Sequence, residues 1–377
     1  MNKIYQICNF CIMDTSDPDI IFDEHGICNH CKYALTRKDS NISMSKEKKE
    51  EILLKLIDQI KSSKNKNSEY DCIIGLSGGA DSSYAAYKII QLGLKPLAIH
   101  LDNGWNTEFA VSNIENIVKK LNIDYVTHVI DWEEFRDLQI AFLKSSVVDL
   151  EMLTDNAISV ITYRLAKKYK IRYFLSGTNT STESIMPKSW FYDIKYDSKN
   201  ILSINSRLGL RKKFDSYPIF TFREYFSHRY LKTIKHISIL NYFEYNKKDA
   251  IELLKSELNW KDHQEKHFES RVTRFYQGYI LPKKFGIDKR RAFLSALICS
   301  KQLTREEALI EIEKNNYTID AINEDKAYFC KKLNISFSEF DKIINDKPVD
   351  HLSYPSYAIW DIKLRNLLRP LKHLLIK

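Results

Sequence analysis

Four of the chain's seven cysteines fall within its first 31 residues, as Cys8-x-x-Cys11 and Cys28-x-x-Cys31. Sixteen residues separate the pairs, and Asp23-Glu24-His25-Gly26 turns just ahead of the second. Two residues between thiolates let each pair fold back and present both sulfurs to one ion, a spacing that fits a tetrahedral four-thiolate zinc knuckle. Four thiolates leave no open coordination position, so the expected role of Zn2+ is structural, and a segment this short needs the metal to fold. Disulfides are the weaker reading in a reducing compartment, and an iron–sulfur site the weakest. His25 and His30 are spare candidates, read as solvated or as partners of the ligands.

A second chemical feature follows the apolar run 71–76, which reads as a buried parallel strand. It passes directly into Ser77-Gly78-Gly79-Ala80-Asp81-Ser82-Ser83 and a helix expected over 84–92. Strand, glycine turn and helix make an anion site, in which glycines let the backbone approach, helical N–H groups point outward and serine hydroxyls add donors for pyrophosphate. There is no Gly-Lys-Ser/Thr of a Walker loop and no G-x-G-x-x-G. Further strands are expected over 96–101, ending in Asp102-Asn103-Gly104-Trp105, over 125–130, and over 173–175 after a helix at 155–169. The last opens into Ser176-Gly177-Thr178-Asn179 with Glu183 close behind. Polar residues thus gather at strand C-terminal ends, where open α/β sheets bind ligands. Asp81 and Asp102 have the plainer alternative of capping helices, and Glu183 that of a surface acid.

Ser-Gly-Gly-x-Asp-Ser resembles the signature of the PP-loop ATP pyrophosphatases, which cleave ATP between the α and β phosphates and adenylate an oxygen. The resemblance implies a mainly parallel α/β sheet, ATP held by Ser77, Gly78, Gly79, Asp81, Ser82, Ser83 and Asp102, and a Gly-Thr-Asn-type turn. That turn would bring Gly177, Thr178 and Asn179 near the nucleotide, with Glu183 and Asp81 near Mg2+.

Beyond residue 185 lie polar-aromatic blocks that a generic nucleotide domain does not need. They are 190–200, His267-Phe268-Glu269-Ser270-Arg271-Val272-Thr273, and Leu281-Pro282-Lys283-Lys284-Phe285-Gly286-Ile287-Asp288-Lys289-Arg290-Arg291. With the cysteine pairs and Asp102-Asn103-Gly104-Trp105 they look like the N-acetyl sugar amidotransferases. This is a PP-loop family of bacterial surface-glycan pathways, including O-antigen and flagellar pseudaminic or legionaminic acid routes. The resemblance spans roughly residues 5–315. It implies that the acetamido oxygen of an N-acetylated sugar, nucleotide-activated or a nonulosonic acid, is adenylated and then replaced by ammonia to leave an acetamidino group. Asp81, Lys289 and Arg290 are the expected catalytic residues. The basic run 289–291 would clamp phosphates or a sugar carboxylate, with Arg291 and Arg271 on the substrate and His267 and Glu269 positioning ammonia or a hydroxyl. A solvated basic face and structural histidines are the plain alternatives. No glutaminase signature is present, so the family pattern implies a separate glutaminase partner resembling the histidine-pathway synthase pair.

The rival reading is a PP-loop enzyme that thiolates or lysidinylates tRNA. Against it, Cys72, Cys299 and Cys330 are isolated, and the basic residues are interspersed with acidic ones instead of forming a patch. No stable nucleic-acid partner is expected. A zinc-dependent scaffold that only binds nucleotide is a third reading.

The whole chain bounds these readings. Its 377 residues are 44% hydrophobic and 28% charged, with a net charge of +9, which excludes a disulfide mini-protein and a disordered chain. No apolar run reaches the roughly 18–20 residues of a membrane span, and a cytoplasmic location is expected. The expected organisation is a knuckle over 1–40, a linker and helix over 41–68 with its apolar run at 51–60, and an ATP-binding α/β domain over 69–235. A substrate region over 236–300 and a helical appendage over 301–377 follow. In the latter, Thr304 opens a capped helix, 337–344 forms another, and a leucine-rich basic tail runs from Trp360 past Pro370.

Overall fold

The structure, a computed structural model, describes residues 4–37, 42–262, 270–314 and 317–362. Five strands, β1 (Cys72–Gly75), β2 (Pro96–Asp102), β3 (Asp124–Val129), β4 (Tyr173–Ser176) and β5 (Lys235–Ser238), form one sheet in the order β3-β2-β1-β4-β5. Every neighbouring pair is parallel. The two-residue period of the strands sorts their apolar side chains into two cores. Ile73, Leu97 and Ile99 face one, while Cys72, Ile74, Ala98 and Leu175 face the other. The helices Lys46–Ser63, Ala80–Gln91, Glu108–Leu121 and Lys247–Leu258 cover the second face through Ile60, Ala86, Ile89, Ile117 and Leu254. Trp132–Ser145 and Met152–Lys168 cover the first through Phe135, Phe142 and Val160. Apolar runs of strand length between amphipathic helices are what such a three-layer arrangement requires.

β5 was not expected. Its residues Lys235 and His236 are exposed, because it is an edge strand, and so the apolar signal of a buried parallel strand is missing. It crosses residue 235, where the sequence reading ended the ATP-binding unit. The loop helix starts at Ala80 instead of 84, which puts Asp81, Ser82 and Ser83 in its first turn.

The strand order sets the site. β1, β2 and β3 step outward in one direction, and the chain then returns to place β4 on the free side of β1. Connections leaving β1 and β4 therefore diverge, and a crevice opens at their C-terminal ends.

The C-terminal region is helical, as expected, with Arg305–Glu313 opened by a capping box of Thr304 and Glu307, and with Phe337–Asn345. It is not an appendage. Trp105, at the end of β2, stacks on Phe329 at 5.6 Å between ring centroids, and Phe329 in turn meets Phe275 at 5.2 Å and Phe340 at 5.8 Å. These rings belong to the same core as the sheet. The cysteine segment is likewise docked on the helix Lys289–Cys299, where the Ile12 N–H donates to Ser295 Oγ at 3.2 Å. Trp360 is 54% exposed, and the rest of the tail, 363–377, lies outside the described residues. Among the described residues no helix is long and apolar enough to cross a membrane.

Candidate active site

The Ser77–Ser83 loop is held from behind. Gly78 has φ +81°, and a Cβ there would lie 2.5 Å from the Ala110 carbonyl oxygen, so only glycine fits. Trp260 Nε1 and Asn113 Nδ2 donate to the Gly78 carbonyl at 2.9 and 3.2 Å. Inside the loop, Ser77 and Ser82 meet at 3.1 Å, and Ser82 Oγ donates to the Gly79 carbonyl at 3.1 Å. Ser83 is buried and donates to the same carbonyl at 2.6 Å. Most helices of the chain carry an Asp, Asn, Ser or Thr cap, whereas the helix at Ala80 begins at Gly79 with no side-chain cap. Its first-turn N–H groups are thereby left for an anion.

From β4, Gly177 packs directly on this first turn, and Thr178 Oγ1 meets Ser176 Oγ at 2.6 Å and Ser238 Oγ of β5 at 2.7 Å. Ser77, Gly79, Asp81, Ser82, Gly177, Thr178 and Glu183 line one cleft of about 760 Å3. Tyr245 OH donates to Asp81 Oδ1, with Lys247 Nζ 4.0 Å from Oδ2. Burial, reinforced by the Asp81 charge, pushes the Tyr245 phenol well up, so it stays a donor.

Other expected residues stand behind the wall. Asn179 turns away to cap Thr180–Glu183, its Oδ1 accepting from the Thr182 N–H at 3.0 Å. Asp102 shapes the turn after β2 by accepting from the Gly104 N–H at 2.9 Å. Ile99, His100 and Leu101 of β2 line the cleft, and His100 is the polar one. Its Nδ1 donates to the Leu76 carbonyl at 3.0 Å, which leaves Nε2 to accept from Asn106 at 3.1 Å.

The far wall comes from the start of Met152–Lys168 and from 270–277, where a helix begun at Arg271 widens into i→i+5 turns from Tyr276. Glu151 accepts from Gln277 Nε2 at 2.9 Å and from Lys289 Nζ at 2.8 Å, so Lys289 reaches this wall through an ion pair. Asp155, which lines the cleft, retains 44% of its side-chain surface. Burial, with Asp149 and Glu151 adding and Lys195 and Lys289 opposing, raises its carboxyl to about 6.

The three arginines expected on phosphate or sugar do not line the cleft, because each is satisfied elsewhere. Arg290 is paired with Asp288 at 2.7 Å. Arg291 binds Asp14 at 3.1 Å and the Ile12 carbonyl at 2.9 Å, tying down the cysteine segment. Arg271 binds Asp325 at 2.6 Å and Glu324 at 2.7 Å, over the Tyr328 ring. His267 and Glu269 lie outside the described residues. The cleft residues His100, Glu151, Asp155 and Trp260 escaped the sequence reading. Glu151 and Asp155, four apart at a helix start, offered a same-face signal, whereas Trp260 and Tyr245 offered none.

Away from the cleft, Cys8, Cys11, Cys28 and Cys31 are all buried with their Sγ atoms within 4.8 Å of one another. Three of the separations are 3.5, 3.8 and 3.9 Å. A tetrahedron with bonds of about 2.3 Å has edges of about 3.8 Å, so the four sulfurs fit one zinc ion. Backbone N–H groups of Phe10, Met13 and Cys28 donate to these sulfurs at 3.2–3.4 Å, and Arg305 donates to the Cys8 and Cys11 carbonyls.

A Ser-Gly-Gly-x-Asp-Ser loop at the switch point of an all-parallel sheet defines an α/β protein of PP-loop type. Residues 269–366 match the family described as LPS biosynthesis protein WbpG-like, C-terminal domain, in agreement with the surface-glycan resemblance of the sequence. The match covers the C-terminal part of the chain, residues 269–366 of 377. Among curated proteins no sequence matches it. Similar solved structures include the NH3-dependent NAD synthetase from Campylobacter jejuni, at 19% identity over 57% of this chain and 94% of that one, TM-score 0.29. Others are the NMN synthetase from Francisella tularensis, at 17% over 60% and 92%, TM-score 0.29, and the U34-tRNA thiolase NcsA from Methanococcus maripaludis, at 16% over 71% and 83%, TM-score 0.32.

Proposed function

We propose that this chain is an ATP-dependent, AMP-forming amidotransferase of surface-glycan biosynthesis, which converts the N-acetyl group of a sugar into an acetamidino group. One observation carries the reading. The cleft that opens on the phosphate loop is walled by Ser270, Val272, Thr273, Tyr276, Gln277 and Phe293, all within the WbpG-like match, which supports a reading in which nucleotide and sugar react in one cavity.

The chemistry follows from the acceptor. An amide carbon is a poor electrophile, and its oxygen must first become a leaving group. The acetamido oxygen attacks the α-phosphorus, the bond to the β-phosphate oxygen breaks, and the departing pyrophosphate is held by the loop N–H groups with Ser77 and Ser82. Mg2+ bound by Asp81 and Glu183 would neutralise phosphate charge. Ammonia then adds to the carbon and AMP leaves. No enzyme nucleophile is needed, because the cleft acts by positioning two reactants. Zn2+ on the four cysteines is structural in this reading. Ammonia comes from a separate glutaminase, so glutamine alone should not support turnover by the purified chain.

The reading is tested by AMP and pyrophosphate release with ATP, Mg2+ and ammonium, comparing nucleotide-activated N-acetyl sugars with bulk tRNA. A sugar-dependent signal with NH in place of O in the product supports it, and a signal that responds only to tRNA overturns it. Sulfur transfer to tRNA is disfavoured by the cleft, since Cys72, Cys299 and Cys330 are buried and none lines it.

A further inference from the structure

We infer that Asp155 is the base that takes a proton from the incoming ammonium ion, a step that rests on the amidotransferase reading. Three acids gather at the start of the helix Met152–Lys168, and two of them are already engaged. Asp149 is buried, ion-paired to Lys195 and bonded to the Tyr192 N–H at 2.9 Å. Glu151 holds both Gln277 and Lys289. Asp155 has no hydrogen bond to its side chain among the described residues, and its one ion pair, to Lys195, is long at 3.5 Å. Its oxygens therefore keep free acceptor capacity, and Asp155 lines the same cleft as the phosphate-loop residues Ser77, Gly79, Asp81 and Ser82.

The charges suit a small cation. Asp149, Glu151 and Asp155 stand against Lys195 and Lys289, the charged groups acting on Asp155, which leaves one net negative charge. The phenol of Tyr217, buried and pushed up, and that of Tyr276 complete the titratable surroundings and remain neutral. Burial holds the Asp155 carboxyl at about 6, a value suited to cycling a proton near neutrality.

The proton balance is as follows. Ammonium gives one proton to the Asp155 carboxylate and becomes neutral ammonia. Its nitrogen lone pair forms the C–N bond to the adenylated carbon. The C–O bond to AMP then breaks, its electron pair leaving on the phosphate oxygen, which takes a second proton from the same nitrogen. The product is the amidinium, and nothing is oxidised or reduced.

The test compares wild type with Asp155→Asn in two assays, sugar-dependent ATP–pyrophosphate exchange and ammonium-dependent amidine formation. Exchange should persist within a few-fold in the variant, while amidine formation falls by about 100-fold or more. With total ammonium fixed, the wild-type rate should stay level at neutral to mildly alkaline pH and fall below about pH 6. The residual rate of the variant should instead climb about tenfold per pH unit with free ammonia. Asp155→Glu should recover part of the rate. A variant with the wild-type rate and profile, or a wild type that itself tracks free ammonia, overturns the assignment. The wild-type profile decides the matter even if Asp155→Asn does not fold. Absence of sugar-dependent exchange in the wild type sinks the amidotransferase reading, and this assignment with it.

Discussion

A Cβ on Gly177 would stand 2.5 Å from the carbonyl oxygen of Asp81. The turn leaving β4 thus lies against the first helical turn that follows β1, and this contact is what makes the Ser77–Ser83 loop and the residues Thr178 to Glu183 a single site.

Gly177→Ala has only backbone to push against, so the loop must shift. A stability loss of about 1–3 kcal/mol is expected, with nucleotide-dependent exchange falling further than the stability change explains. Gly286→Ala is the control. It has φ +68° with nothing within 4 Å of the added Cβ, so it should cost about 1 kcal/mol in urea unfolding and leave exchange intact.

Tyr245→Phe removes the donor to Asp81 without disturbing the ring's packing on Tyr84 at 5.5 Å. A bond to a charged acceptor is worth roughly 1.5–3 kcal/mol of stability, so Tm should fall by a few degrees, and kcat/KM for MgATP measured on the folded protein should drop about tenfold or more. An unchanged kcat/KM would mean that Asp81 is placed by other contacts.

Arg271 should behave as a structural residue. Asp325 is 1% exposed and is held by Arg271, Arg274 and Tyr317 OH at 2.6 Å. Arg271→Ala should lower stability by about 3 kcal/mol, with the KM for sugar in the folded fraction unaffected. A raised KM at wild-type stability would restore its substrate role.

One zinc per chain should be found by elemental analysis, and Cys11→Ser should lose it. Arg305 and Arg291 tie the cysteine segment to the helices at 305–313 and 289–299. Chelation should therefore lower the Tm of the whole chain, visible by circular dichroism with no substrate present.

Acid should destabilise the fold through buried histidines. Burial lowers His351 to about 4, and its Nδ1 donates to Asn200 Oδ1 at 2.9 Å. The unfolded chain takes up this proton near 6.5 and the folded one only near 4, so stability falls as pH drops through that window, by on the order of 2 kcal/mol. His351→Gln should reduce the pH dependence of urea unfolding between 6.5 and 4, the half-buried His228, also lowered to about 4, keeping a remainder.

Legibility tracked how local each signal was. The phosphate loop, four of the five strands and the four cysteines were readable because a glycine turn, an apolar run and a paired thiol motif are each complete within a few residues. β5 was missed because its four residues, with Lys235 and His236 exposed, carry no apolar run of strand length. Arg271, Arg290 and Arg291 pair with acids off the cleft wall, which a basic run in sequence does not reveal, because it says nothing about which acids meet it. Asp288 is two residues away from Arg290, but Asp14 is reached from Arg291 only through the fold.

By itself, then, the sequence determined the glycine loop after β1, the paired cysteines and the alternation that builds a buried parallel sheet, since these depend on backbone freedom, residue type and period. The tertiary structure alone decided which polar groups share the cleft. It brought Gly177 onto the Asp81 backbone, Tyr245 to the Asp81 carboxylate, and Asp155 to the wall of the same cleft with only a long ion pair to Lys195. The physical reason is that a side chain's charge, proton and partners are set by burial and by neighbours distant in sequence, which only packing specifies.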